Sequence, residues 1–366
     1  MKIAVLGSRG IPNRYGGFEE MAAQVCPMWV AAGHQVVVYT TSDHPERMEN
    51  YKGVELRYIF NPEGTLGLAG QFIYDLLCLR DAQKEHFDVI LQLGYTTSGI
   101  WSFLWPVEKT VTNMDGLEHQ RAKYSGPLAA FLRWSEKRAA KRSKLLIADN
   151  PEIATYLKKY EQPTVTIAYG TEVVERSEAQ LEVLEAWSKE QEMELVPGSY
   201  ALHIGRVQKD NHVHEILEAA KNSGAELVAV GDYSTAYGKL LKDAYSSVDH
   251  IHFPGTLYDK TVLNALRSHC KFYVHGHSAG GTNPALLEAL GCGCFVLAHG
   301  NPFNASVLGG LGGLWNSEEE LTTQLGLSPK IELAKKQGEM AQQRMKDHFR
   351  WEQIAEQYIQ AFERML

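Results

Sequence analysis

The sequence predicts an α/β protein built of two doubly wound domains that face a cleft. Three observations lead there. Short apolar strands alternate with helical segments through both halves of the chain. The alternation restarts at Tyr200-Ala201-Leu202-His203-Ile204-Gly205-Arg206. In each half a strand breaks into a glycine-bearing loop that runs into a helix. A length of 366 residues suits two domains better than one core.

In the first half the strands are expected at 2–6, 35–40, 54–59, 88–93, 109–113, 144–148 and 164–167. The opening strand, Ile3-Ala4-Val5-Leu6, breaks at Gly7 and continues through Ser8-Arg9-Gly10-Ile11-Pro12-Asn13-Arg14-Tyr15 to Gly16-Gly17. Beyond Gly17, Met21, Val25, Met28 and Trp29 recur at helical spacing, so a helix is expected over 17–32. Further helices are expected at 69–85, 127–142 and 151–160. A charged helix from about Ser177 to Glu194 fills the join, which lies between Tyr169-Gly170-Thr171 and Gly198. In the second half, strands near 226–230, 250–253, 271–274 and 294–298 alternate with helices near 212–223, 235–246, 259–268 and 283–291. A last helix from Trp351 to Leu366 gathers Ile354, Tyr358, Ala361, Phe362 and Met365 on one face. The domains are therefore drawn as 1–170 with the returning segment 350–366, and 171–349.

The apolar fraction of 44% with 22% charged residues is that of an ordinary globular chain. No apolar run is long enough to span a bilayer, and the N-terminus reads as a buried strand rather than a signal peptide. Five cysteines without a repeated C-x-x-C suit packing in a reducing compartment, which makes a cytoplasmic location the expectation. A net charge of −8 argues against nucleic acid as a partner. Basic residues nonetheless crowd 121–144, where Arg121, Lys123, Arg133, Lys137, Arg138, Lys141, Arg142 and Lys144 face a single acid, Glu136. Leu128, Phe131, Leu132 and Trp134 share the segment. It is either a basic amphipathic helix that lies on an anionic membrane surface or a solvated basic face with an apolar face in the core.

The most telling stretch is His275-Gly276-His277-Ser278-Ala279-Gly280-Gly281-Thr282-Asn283-Pro284, leading into a helix that carries Glu288. A helix start of this kind is expected to offer unpaired N–H groups and a positive dipole end to a diphosphate, while Glu288 accepts from two ribose hydroxyls. The loop Gly7–Gly17 lacks the G-x-G-x-x-G spacing, which disfavours a nicotinamide dehydrogenase. The pairs His212/His214 and His275/His277 have no second cluster at zinc-site spacing, and no Asp-x-Asp pair stands ready for a divalent ion, so no metal is expected.

These features resemble the retaining GT-B glycosyltransferases of family four, whose two domains are Rossmann-like. Gly7-Ser8-Arg9-Gly10-Ile11-Pro12, Asn113-Met114-Asp115-Gly116-Leu117-Glu118 and Gly276–Pro284 resemble, more narrowly, a subgroup of rhamnosyltransferases of bacterial polysaccharide assembly. The resemblance runs the length of the chain. It implies a nucleotide sugar held mostly by the second domain, with Gly16 and Gly17 contributing to the donor site. A saccharide acceptor is implied at the first domain, where Arg14, Tyr15 and Glu118 are the acceptor candidates. Gly205-Arg206 matches the family's Gly-Arg, and Asp210 and Asn211 fall where the family has Glu and Lys. Arg206 can clamp the diphosphate, whereas Asn211 offers only a neutral donor, leaving Lys209 as a possible substitute. Glu288 matches the later of two family glutamates, and Gly280 stands where the earlier one belongs. Gly280, Gly281, Thr282 and Asn283 would then present backbone or amide donors to the donor sugar.

Many relatives carry a histidine where Met114 stands, placed to meet the sugar's 6-hydroxyl. Methionine suits the methyl group of a 6-deoxy sugar instead. Asp115 either positions the acceptor or caps the following turn, and a retaining mechanism requires no separate protein base. The resulting expectation is transfer of L-rhamnose from dTDP-rhamnose, without a metal or other cofactor, to a lipid-linked saccharide at the inner membrane face. Competing readings are a nucleotide-sugar 2-epimerase of the same architecture and a non-catalytic nucleotide-sugar-binding protein.

Overall fold

The computed structural model describes residues 1–121, 124–327 and 331–366. The chain divides into two compact units, Met1–Gly170 with Trp351–Leu366, and Thr171–Arg350. In the first unit the strands are β1 (Lys2–Leu6), β2 (Gln35–Thr41), β3 (Asn50–Tyr51), β4 (Val54–Ile59), β5 (Val89–Leu93), β6 (Thr110–Asn113), β7 (Leu145–Ala148) and β8 (Thr164–Thr166). They join in the order β3-β4-β2-β1-β5-β6-β7-β8, parallel throughout except for the β3–β4 pair. The connecting helices are α1 (Gly17–Ala31), α2 (Glu63–Leu66), α3 (Leu68–Ala82), α4 (Gly126–Lys141) and α5 (Pro151–Leu157).

The second unit opens with α6 (Glu178–Glu190) and then alternates strictly. Its elements are β9 (Ala201–Ile204), α7 (Val213–Ser223), β10 (Leu227–Val230), α8 (Ala236–Tyr245), β11 (Ile251–Gly255), α9 (Lys260–His269), β12 (Phe272–His275), α10 (Pro284–Gly291), β13 (Val296–His299), α11 (Pro302–Leu308), β14 (Gly313–Trp315), α12 (Glu318–Gly326) and α13 (Ile331–His348). Its sheet is wholly parallel, ordered β11-β10-β9-β12-β13-β14. Central strands such as Ile3–Leu6, Leu227–Val230 and Phe272–Val274 are buried along their length, as expected of parallel strands covered on both faces. In each sheet the strand order reverses beside the unit's first strand, β1 or β9. Loops leaving the carboxyl ends of β1 and β5, and of β9 and β12, therefore meet at a topological switch point.

Helix α14 (Trp351–Met365) returns to the first unit and packs on α1. Trp29 Nε1 donates to the Ala355 carbonyl at 2.9 Å, and its ring lies 5.7 Å from Tyr358 and 5.6 Å from Phe362. The Tyr358 hydroxyl accepts from Asn113 Nδ2 at 2.8 Å, so the last helix also fastens the end of β6. Where the chain passes between units, Thr171 N donates to the Phe349 carbonyl at 2.7 Å and Thr171 bridges Arg350. A Cβ on Gly170 would stand 2.5 Å from the Trp351 ring, so glycine is required there.

Every strand and helix expected from periodicity is present within a few residues. The expectation missed β3, α2, β14 and the run α11–α13. The segment around β14 carries Gly309, Gly310, Gly312 and Gly313 and so reads as a loop. Helix α13 buries few apolar side chains, Ala341 and Met345 among them, so it shows little apolar period. Phe362→Ala is expected to destabilise the first unit by about 3–5 kcal/mol through the cavity it opens against Trp29 and Tyr358. Urea unfolding followed unit by unit, for instance by hydrogen exchange, checks this, and the second unit's exchange should stay unchanged.

Candidate functional site

In the second unit the loop after β9 and the loop after β12 are knitted together by one buried carboxamide. Asn211 Nδ2 donates to the Arg206 carbonyl at 2.6 Å, and Asn211 Oδ1 lies 2.8 Å from His277 Nδ1. Ser278 adds two bonds to the Asp210 carbonyl, from its N–H at 3.0 Å and its hydroxyl at 2.9 Å. Gly276 makes the approach possible, because a Cβ there would lie 2.0 Å from the Asn211 carbonyl oxygen. Asn211, expected to donate to a diphosphate, thus spends both ends of its amide on the fold. Arg206 and Lys209 point outward, exposed and without an ion pair among the described residues.

The start of α10 corrects a second expectation. Its first-turn donors are used internally rather than offered outward. Pro284 has no N–H, Ala285 N donates to Asn283 Oδ1 at 3.0 Å, and Leu286 and Leu287 donate to the Asn283 carbonyl at 3.1 and 3.2 Å. Asn283 is the helix cap. Only the helix dipole and the backbone of the preceding loop remain for an anion. In that loop Gly280 holds φ +114°, a conformation that residues with a side chain rarely adopt, so the position favours glycine. Gly281 and Thr282 are buried beside it.

Glu288 is held by a partner that the sequence did not reveal. Arg267 of α9, 4% exposed, pairs through Nη2 with Glu288 Oε2 and reaches Asn264 Oδ1 from Nη1 at 3.4 Å. Burial opposes the Arg267 charge, but the carboxylate beside it keeps the guanidinium firmly protonated. Glu288 itself is 40% exposed, so one oxygen is fixed while the carboxylate still meets solvent.

Histidines crown the carboxyl edge of this sheet. His203 Nδ1 donates to the Val274 carbonyl at 3.0 Å, which leaves Nε2 as a buried lone-pair acceptor without a partner among the described residues. His275 Nε2 is likewise buried and unpaired. His212 stacks on His299 at 4.2 Å, and the His299 ring meets the Trp315 face edge-on at 5.1 Å. Burial pushes His203 and His275 below the ordinary imidazole range, and the neighbouring His277, His203 and His299 push His275 further. His269 falls to about 4, from burial and then from Arg176, whose Nη2 lies 2.9 Å away. No group of three or more His, Cys, Asp or Glu among the described residues is arranged to hold a metal ion.

In the first unit, Glu19 organises the long loop after β1 by accepting from Arg9 N at 2.7 Å. Arg9 grips Glu63 with Nη2 and Nε, at 2.6 and 3.2 Å, and stacks on Tyr15 with 3.6 Å from guanidinium carbon to ring centroid. Arg14 Nε binds Glu46 at 2.8 Å, and Tyr15 is exposed. Gly16 is the extended cap of α1, and Gly17 lies against the Tyr169 ring.

The turn after β6 carries Met114, Asp115 and Glu118. Asn113 Oδ1 accepts from Asp115 N at 3.0 Å, so Asn113 closes the turn. Asp115 sits at φ +44°, a left-handed conformation that a non-glycine residue adopts at a cost. Met114 is 1% exposed, and its N–H donates to the Ile147 carbonyl at 2.8 Å. As it stands the side chain is a packing residue, and a ligand reaches it only if the turn moves. Glu118 pairs with Arg121 Nε at 2.8 Å.

Beneath the turn lies a buried hub that sequence reasoning noticed only as the lone acid of a basic segment. Glu136 is 1% exposed, and its oxygens accept from the hydroxyls of Tyr156 at 2.9 Å, Tyr160 at 2.5 Å and Tyr95 at 3.2 Å. Lys159 Nζ and His119 Nδ1 stand 3.2 and 3.1 Å from it. The Tyr95 hydroxyl in turn lies 3.3 Å from both the Gly116 carbonyl and Glu118 N, which ties the hub to the turn.

Comparison with known proteins bears on the fold and the family of each half of the chain. Residues 1–172 match a family model described as a domain of unknown function, DUF1972, and residues 188–341 match the model for glycosyl transferases group 1. No curated protein matches the sequence. Among solved structures, sucrose-phosphate synthase from Thermosynechococcus elongatus superposes with a TM-score of 0.79 at 18% identity, covering 100% of this chain and 98% of that one. HepE of Anabaena, in complex with UDP and glucose, gives 0.75 at 17% identity with 99% of each chain covered. A glycosyltransferase from Rickettsia africae gives 0.71 at 14% identity, covering 100% and 98%. The fold is therefore GT-B, and the group 1 match with this fold supports a nucleotide-sugar glycosyltransferase.

Two predictions follow from the buried charges and imidazoles. Glu288→Ala strands the Arg267 cation and is expected to cost about 2–3 kcal/mol, below the ~3–5 kcal/mol of a wholly buried pair because Glu288 is partly exposed. The double variant R267M/E288Q removes the charge as well and should recover much of that loss in urea titrations. Histidines kept neutral by burial bind their proton more readily when unfolded. The imidazole contribution to the second unit's stability is thus constant above pH ~6.5 and falls as pH drops below it, by up to about 1.4 kcal/mol per pH unit for each such imidazole. Urea midpoints at several pH values check the slope, which H275N should flatten.

Proposed function

We propose that the chain is a retaining, metal-independent glycosyltransferase that moves L-rhamnose from dTDP-rhamnose to a lipid-linked saccharide at the cytoplasmic face of the membrane, in bacterial surface polysaccharide synthesis. One observation carries the reading of the donor side. At a topological switch point, exposed Arg206 and Lys209 stand on a loop locked through Asn211 to the Gly276–Asn283 loop, with Glu288 held ready on the following helix. Phosphate-binding cations, close-approaching glycine backbone and a fixed carboxylate are what a nucleoside diphosphate sugar requires.

In the proposed reaction the bond from C1 of the sugar to the diphosphate oxygen breaks as the acceptor hydroxyl oxygen bonds to C1 on the same face. The acceptor's proton passes to the departing phosphate oxygen, so no protein base is needed. Arg206, assisted by Lys209, stabilises the negative charge that grows on the diphosphate. Backbone groups of Gly280, Gly281 and Thr282 line the diphosphate and sugar, with Gly16 and Gly17 also on the donor, and Glu288 takes the ribose hydroxyls. Asp115, on its strained turn, positions the acceptor together with Arg14, Tyr15 and Glu118. Met114, 1% exposed, packs against the methyl group of a 6-deoxy sugar once the turn after β6 moves to admit it.

A donor panel tests this reading, using thermal shift and hydrolysis with dTDP-rhamnose, UDP-glucose, UDP-N-acetylglucosamine and GDP-mannose, with and without EDTA. Stabilisation by dTDP-rhamnose with EDTA-insensitive release of dTDP is expected. Arg206→Ala should lower the rate about 10²–10³-fold. Preference for a 6-hydroxylated donor overturns rhamnose but keeps the transferase, and binding of no donor overturns both.

A further inference from the structure

We infer that the first unit docks on an anionic lipid bilayer through one face built by α3, the turn Ser98–Leu104 and α4. Large apolar side chains that the core does not use are exposed on all three segments, with Leu68 at 74%, Phe103 at 51%, Leu128 at 48% and Trp134 at 42%. An aromatic chain links Trp134 to Phe103. Trp134 lies 5.7 Å from Phe131, Phe131 lies 6.0 Å from Phe72, and Trp101 donates to the Phe72 carbonyl at 2.7 Å with its ring 6.4 Å from Phe103. A patch of this kind on a globular surface marks an interaction site.

Charge selects the occupant. Arg133, Lys137 and Lys141 recur every fourth residue along one side of α4, exposed and without ion pairs among the described residues. Lys123 of the same basic segment lies outside the described residues. The helix's single acid, Glu136, is turned inward and engaged by Tyr95, Tyr156 and Tyr160, so nothing on α4 neutralises the row. Such a row stands against a chain whose net charge is −8. The inner side of α4, with Leu132, Ser135, Ala139 and Ala140, is buried, so the outward side chains are held in place by the fold. A phosphate-bearing bilayer surface takes tryptophan and phenylalanine at headgroup depth and lysine and arginine on its phosphates, and it demands no shaped groove.

Co-sedimentation of the full chain with vesicles tests the inference, using phosphatidylcholine alone and phosphatidylcholine mixed with phosphatidylglycerol. Binding is expected to the mixed vesicles only and to fall with added salt. F103S/L128S/W134S should abolish it, and K137Q/K141Q should weaken it about 5-fold per charge. No binding of the unaltered chain, or binding that neither variant changes, overturns the inference. So does a concentration-dependent dimer that the triple variant dissolves, since the face would then meet a second copy. The inference is independent of the donor chemistry. Both variants should hydrolyse soluble donor like the unaltered chain, so a failed vesicle assay and a failed donor panel have separate readouts.

Discussion

The carboxamide of Asn211 is the contact on which the second unit's candidate site depends. Two loops leave neighbouring parallel strands with no regular structure to hold them together. A buried amide donates to the Arg206 carbonyl within its own loop and accepts from His277 on the other, and Ser278 adds two bonds across to the Asp210 carbonyl. A lysine in its place would carry three donors and no acceptor, and could not reproduce the His277 contact. The carboxamide thus stiffens the loop, and Gly276 adds to this by letting the backbones touch.

Buried charge follows one rule in both units. Glu136 and Arg267 are each nearly inaccessible, and an unpaired ion at such depth costs far more than a fold can absorb. Glu136 is surrounded by three phenolic hydroxyls, an ammonium and an imidazole, while Arg267 takes a single carboxylate. The difference suits their positions. The Glu136 hub lies under the Met114–Glu118 turn, and five groups of the protein surround its two oxygens. Glu288 keeps one side toward solvent, where a polyhydroxylated ligand can replace water.

Much of this was legible in the sequence because parallel strands covered on both faces leave unbroken apolar runs, and glycine-bearing loops mark their carboxyl ends. The strands Ile3–Leu6, Leu227–Val230 and Phe272–Val274 are cases in point. Gly280 was legible as part of a glycine-bearing loop, and its φ of +114° is a conformation that favours glycine. What stayed hidden is long-range pairing. Nothing about Arg267 distinguishes it from any other arginine on an amphipathic helix until α9 is seen beside α10. The cap at Asn283 is local and could have been read from Asn-Pro at a helix start. Its consequence, that the first-turn donors are already used, was visible only in the hydrogen bonds themselves.

These observations bear on how a diphosphate would be held here. With the α10 donors satisfied, the Asn211 amide engaged and burial holding His203 and His275 below the ordinary imidazole range, fixed positive charge around the loops comes from Arg206, Lys209 and the α10 dipole. A leaving group stabilised by so few cations depends strongly on their placement, because each must be aimed at charge that appears only in the transition state. The Arg206 carbonyl is held by Asn211 Nδ2 and Gln208 N, while its side chain makes no ion pair among the described residues. On the proposed reading, then, the amide substitution and the retained arginine are not independent features. The first fixes the peptide from which the second reaches the phosphate.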